Sequence, residues 1–165
     1  MKRTAVVSLA LTLAAAVVSA QVVKVKAPSD TSVPTGELVF VPMTEVVYDS
    51  GGIADPAAGG VTVTATGFYS VHAQIVFRES VCPNAAGTRL LHIIVNDFEQ
   101  FSGNDSVNGE CVAGHERQLH AFAGVALSAG DTVRVGVWQN SGSTQIVPTF
   151  IGQDHNPVLT VIRED

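Results

Sequence analysis

The sequence predicts an all-β chain, an antiparallel sandwich or barrel, and three observations carry that reading. From Leu38 onward the apolar runs are short, rich in Val, Ile, Thr and Phe, and alternate with polar residues at period two. Gly, Asn, Asp or Pro bounds nearly every one of them. No segment after residue 20 keeps an apolar stripe at helical spacing for three turns, so the crossovers that parallel strands require have nothing to be built from. Length and composition agree: 165 residues fit one domain, and 46% hydrophobic residues with a formal charge of −6 exclude a disordered chain. Nine basic against fifteen acidic residues leave no clustered Lys and Arg for a polyphosphate, which excludes nucleic acid as a partner.

Met1-Lys2-Arg3, then an almost unbroken run of Ala, Val and Leu ending in Val18-Ser19-Ala20, reads as a signal peptide over residues 1–20, cleaved after Ala20. The run is shorter than the roughly 20 residues that cross a bilayer, so no stable membrane anchor is expected. Cleavage removes Lys2 and Arg3 and takes the formal charge from −6 to −8. The expected location is secreted and extracellular, with periplasm and cell surface as alternatives. Residues 21–37, with Pro28, Ser29, Thr31, Ser32 and Pro34, read as an extended arm or linker ahead of a domain over 38–165.

Within that domain the alternation places strands at Leu38–Tyr48, Gly60–Thr64, Gly67–Phe77, Thr88–Asp97, Phe101–Val107, Arg117–Leu127, Thr132–Asn140, Gln145–Ile151 and Pro157–Ile162. Turn residues separate them: Asp49-Ser50-Gly51-Gly52, Asp55-Pro56, Asn96-Asp97, Asn104-Asp105, Ser128-Ala129-Gly130-Asp131 and Asn140-Ser141-Gly142. Cys82 and Cys111 are an even pair in a chain marked for export, which makes a disulfide the default. Closing its loop of about 28 residues is worth on the order of 3 kcal/mol.

Strand faces carry the next step. Tyr69, Val71, Ala73, Ile75 and Phe77 share one face of Gly67–Phe77, the core face, while Phe68, Ser70, His72, Gln74 and Val76 share the other. Arg117–Leu127 likewise sets Leu119, Ala121, Ala123 and Val125 against Gln118, His120, Phe122 and Gly124. Thr132–Asn140 turns Val133, Val135 and Val137 inward and Arg134, Gly136 and Trp138 outward. An outer face that carries aromatic side chains is expected to be covered by a sheet, a ligand or another subunit, of which a subunit is favoured.

Gly67-Phe68-Tyr69-Ser70-Val71-His72-Ala73 has a Gly-x-Tyr strand start after the short run Val61-Thr62-Val63, and Leu127-Ser128-Ala129-Gly130-Asp131-Thr132-Val133 has a Leu-x-x-Gly-Asp-x-Val strand entry about 60 residues on. These two stretches resemble the globular head of complement component 1, subcomponent q, and the tumour necrosis factor family. The likeness covers residues 38–165. It implies an antiparallel jelly-roll sandwich of about ten strands, complement-1q/TNF-like, that assembles as a homotrimer and binds an extracellular ligand without chemistry. It also implies that the sheet holding Gly67–Phe77, Arg117–Leu127 and Pro157–Ile162 faces neighbouring subunits, which puts Phe68, His72, Val76, His120 and Phe122 at the trimer interface. No Gly-x-y repeat stands in residues 21–37, and Pro157–Asp165 replaces the family's Phe-x-Gly-x-Leu ending, so no specific ligand carries over.

Candidate chemistry is sparse. His72 and His120 on paired strands could stand side by side and offer ring nitrogens to a metal or a pH-sensitive contact, though ordinary interface residues are the simpler reading. His115-Glu116 reads as a solvated turn, and no zinc-ligand spacing occurs. Asp49, Asp55, Glu99, Asp105 and Asp154 are explained by turns; calcium on such loops stays open, since the resembling family includes calcium-binding members. No Gly-x-Ser-x-Gly elbow is present, and no catalytic residue is assigned. Asn104-Asp105-Ser106 is a glycosylation sequon in an expected exposed loop. Trp138, Gln139 and Asn140 are a candidate ligand platform, the basis of the alternative reading as a carbohydrate-binding or carbohydrate-active jelly roll. A structural subunit of a virion or cell surface is the third.

Overall fold

The computed structural model describes residues 20–78, 87–107, 116–150 and 156–164, with the backbone alone over 99–107. Residues 1–19 of the expected signal peptide over 1–20, together with Cys82, Cys111, His115, Asp154 and His155, lie outside the described residues, so the expected disulfide and cleavage are not read from the structure.

The described chain forms thirteen strands and no helix: β1 (Val22–Lys26), β2 (Thr31–Val33), β3 (Val39–Val41), β4 (Glu45–Asp49), β5 (Ala54–Asp55), β6 (Gly60–Thr62), β7 (Gly67–Arg78), β8 (Gly87–Val95), β9 (Phe98–Val107), β10 (Glu116–Leu127), β11 (Thr132–Gln139), β12 (Gln145–Val147) and β13 (Val158–Glu164). One sheet sets β4, β1, β13, β7 and β10 side by side, with β2 and β12 paired and joined to β7 at Arg78. The other runs β5, β6, β11, β8, β9, with β3 also on β11. Every pairing is antiparallel. The core lies between the two sheets: Val23, Val25, Tyr69, Val71, Ala73, Ile75, Leu119, Ala121 and Leu159 from one, Val61, Leu91, Ile93, Val133, Val135 and Val137 from the other. This is the expected sandwich, and its burial of apolar area is the main favourable term in folding.

The structure departs from the sequence reading at four places. Residues 21–37 are extended but are no linker: Val23 and Val25 are buried, Lys24 and Lys26 face outward, and β1 is hydrogen-bonded on both sides, to β13 and β4. Four alternating residues are a strand pattern that the flanking prolines disguise. Leu38–Tyr48 is two strands, because Pro42 has no N–H to donate and the chain turns there, with Met43 N–H donating to the Gly59 carbonyl at 3.1 Å. Among the described residues the expected strand Gln145–Ile151 is only β12, because Pro148 follows Val147. Asn104 lies within β9 opposite Leu90, so the sequon sits on a strand rather than in a loop.

Turn chemistry holds the strands in register. Asn96 and Asp97 have φ of 49° and 67° between the directly paired Val95 and Phe98, the two left-handed residues that a type I′ hairpin needs. Asp131 accepts from Ser128 N–H and from Asn96 Nδ2, each at 2.7 Å, while Asn96 Oδ1 accepts from Thr132 N–H at 2.9 Å. The Gly130-Asp131 strand entry is therefore a structural clasp between two turns.

Gly60 is where β6 meets β11 most closely; a Cβ there would fall 2.2 Å from the Val133 carbonyl oxygen. Gly60→Ala should destabilise the protein by about 1–3 kcal/mol, as overpacking does, read as a lower urea midpoint at unchanged slope.

Candidate functional site

The outer face of the β10, β7 and β13 strands is built by alternation. Tyr69, Val71 and Ala73 go into the core, so Phe68, Ser70, His72 and Gln74 must emerge on the other side. Register then assembles a row across five strands: Phe122 stands opposite His72, Thr160 on its other flank, Lys24 beyond Thr160 and Tyr48 beyond Lys24. One step along, Gly124, Ser70 and Ile162 form the next row. Gly124 leaves room for the Phe68 ring, whose Cζ would lie 2.9 Å from a Cβ at that position. Phe122 is 69% exposed and Phe68 51%, with Ile162 also exposed. Between them lies a cleft of about 420 Å³ lined by Ser70, His72, Phe122, Gly124, Thr160 and Ile162.

His72 and His120 are brought together as expected. Nε2 of His72 lies 3.2 Å from Nδ1 of His120. The rings are within 4° of parallel with centroids 5.5 Å apart, close to the nitrogen separation plus two ring radii, so they meet edge to edge in one plane. The Phe122 ring stacks on the His72 face at 4.2 Å and 5°. Burial pushes the His72 pKa below its ordinary value, and the neighbouring His120 and Lys24 push it the same way. Ser70 Oγ donates to Glu164 Oε1 at the far end of the face. Val76, also expected on this face, is only 3% exposed: it is covered within the chain, and the open surface ends before it.

The second candidate does not assemble. Gln139 follows Val137 on the inward side of β11 and is fully buried, so it cannot join Trp138 and Asn140 in a platform. Its Nε2 donates to the Val33 carbonyl at 3.0 Å and the Ser143 carbonyl at 2.8 Å, and its Oε1 accepts from Ser141 N–H and Oγ at 2.7 Å. Asn140 Oδ1 accepts from Thr88 N–H at 2.6 Å. The period-two rule, carried one residue further along Thr132–Asn140, would have placed Gln139 inside. The outer face of β11 also differs from that of β7: Arg134 lies over the Phe40 ring at 4.0 Å and pairs with Asp97, and Gly136 is buried against Ile94 and Leu38.

The loop carboxylates cap backbone. Asp49 accepts from the N–H groups of Gly51, Ile53 and Ala54, and Asp55 from Ala58 N–H and Thr62 Oγ1. Burial raises the Asp49 pKa, but the backbone donors together outweigh it and hold the carboxyl below its ordinary range. Asp154 and the side chains of Glu99 and Asp105 lie outside the described residues, and no cluster of three His, Cys, Asp or Glu occurs among the described ones.

With this geometry in hand, the comparisons are with solved structures. The crystal structure of murine APRIL at pH 8.0 superposes with a TM-score of 0.62 at 14% identity, over 88% of this chain and 100% of that one. The fold is the TNF-like jelly roll. The structure of Eiger TNF from S. frugiperda gives 0.55 at 16% identity, over 88% and 92% of the two chains. No protein-family model and no curated protein matches the sequence. At such identity the likeness establishes architecture, and the use of the face has to be argued from its own residues.

Two measurements check these assignments. Gln139→Ala strands the Val33 and Ser143 carbonyls and the Ser141 donors, and should lower stability by about 1–3 kcal/mol in urea unfolding. Because the Asp49 pKa is lower folded than unfolded, its contribution is present above the unfolded value and is lost as pH falls through the folded one. Asp49→Asn should therefore destabilise at pH 7, and the difference should shrink steadily as the pH falls below the ordinary carboxylate range, followed by thermal melts.

Proposed function

We propose that the chain is a secreted, non-catalytic recognition or structural module of the complement-1q/TNF-like type, which assembles as a homotrimer through the outer face of β10, β7 and β13 and presents its loops to an extracellular ligand. The observation that carries this is Phe122, 69% exposed in the middle of a strand, with Phe68 lying over the neighbouring Gly124 and Ile162 lining the same cleft. Apolar surface gathered in one place is characteristic of interaction sites, and three copies around an axis would remove each face from water with the same residues. The TNF-like jelly-roll fold supports the reading. So does the signal segment over 1–20: β1 starts two residues after Ala20, so cleavage there leaves the sheet whole. No helix among the described residues is long and apolar enough to cross a membrane. The carbohydrate reading loses the Gln139 and Asn140 side chains to structural hydrogen bonds and keeps only the half-buried Trp138.

Light scattering of residues 21–165 at pH 8 should give three times the protomer mass. Phe122→Asp places a charge in the buried face and should give protomer mass with unchanged far-ultraviolet circular dichroism. A wild-type protomer at high concentration, or an undiminished trimer in the variant, overturns the reading.

A further inference from the structure

Hydrogen accounting at the His72 and His120 pair suggests a control on this face. When both rings are neutral, one N–H fills the 3.2 Å gap between Nε2 of His72 and Nδ1 of His120. Whichever ring donates, the other carries its hydrogen on the outer nitrogen, and the donor's own outer nitrogen is bare. A first added proton takes that bare nitrogen, leaving the shared N–H in place and one positive charge on the pair. A second proton must enter the gap, where both nitrogens are then donors, so the hydrogen bond is lost and two positive charges face each other.

The surroundings favour the uncharged form. Lys24 shares the row of His72, two strands away, and Lys26 shares the row of His120. The carboxylates on the neighbouring strands are engaged elsewhere: Glu45 with Lys26 at 2.8 Å, Glu116 with Arg78 at 3.2 Å, and Glu164 with Ser70. Gln74 and Thr160 beside the pair carry no charge, and Tyr48 stands at the far end of the row beyond Lys24. Among the described residues the Phe122 ring face stacks on His72 and favours an imidazolium, and such an attraction is modest where water reaches the ring. Burial already holds His72 below its ordinary pKa. Covering the face with another copy removes more water from the pair, which makes proton uptake and association compete.

We infer that the His72 and His120 pair is a proton gate on self-association: copies of this chain hold together while the pair is neutral and separate when it charges. The inference rests on the trimer reading above, and the two fail separately.

Sedimentation velocity of residues 21–165, run from pH 8 to pH 5 alongside the His72→Gln/His120→Gln double variant, tests it. The wild type should be trimeric at pH 8, and its midpoint concentration for association should rise about tenfold or more by pH 5.5, since one pKa unit is a factor of ten. Circular dichroism should remain native throughout. The double variant, which cannot take up these protons, should stay trimeric at pH 5.5. A wild-type protomer at pH 8 sinks the trimer reading itself. A trimer that persists at pH 5, acid dissociation unchanged in the double variant, loss of native structure in place of dissociation, or dissociation at pH 8 on adding a chelator each overturns the gate alone.

Discussion

A sheet has two faces, and in a two-layer sandwich the chain can cover only one of them with the other sheet. That constraint organises this molecule. Tyr69, Val71, Ala73 and Ile75 on β7 are buried because they meet Leu91, Ile93 and Val135 across the core, and the same pleat sends Phe68, Ser70, His72 and Gln74 outward. A one-residue slip in register would exchange the two sets, so the hydrophobic core and the outer face are specified together.

The two outer faces are handled differently. On β11 the chain covers itself: Leu38 and Ile94 close over Gly136, and Phe40 lies under Arg134. On the other sheet the Phe122 ring stacks on His72, and among the described residues nothing covers Phe122 itself, which stays 69% exposed. In this sheet β10, β7, β13 and β1 lie side by side as one continuous surface, the one through which the chain is proposed to self-associate.

The remaining polar chemistry is taken up by architecture. Asp49, Asp55 and Asp131 satisfy backbone donors at turns, and Gln139 closes the hairpin that leads to β12 from within the core. Each would be costly to leave unpaired and is unavailable to a ligand while it is paired.

Much of this was legible in the residues. Alternation showed the strands and the inward set on β7, because period two is a local property of the backbone; that His72 and His120 could meet was conditional on their strands pairing, which the register of β10 on β7 decided. The turns at Asn96-Asp97 and Ser128–Asp131 were legible for the same reason, their conformations being set within a few residues. Other assignments depended on distant chain. Residues 22–26 looked like an arm until β13 and β4 were there to pair with them. Val76 looked exposed, and Trp138, Gln139 and Asn140 looked like one platform, when the first is covered and the middle residue of the second points at Val33, more than a hundred positions away. The sequence by itself determined the fold class and which side of each strand is apolar. Only tertiary structure decided which apolar side the chain covers and which it leaves in water, because coverage depends on segments far apart in sequence arriving at the same place.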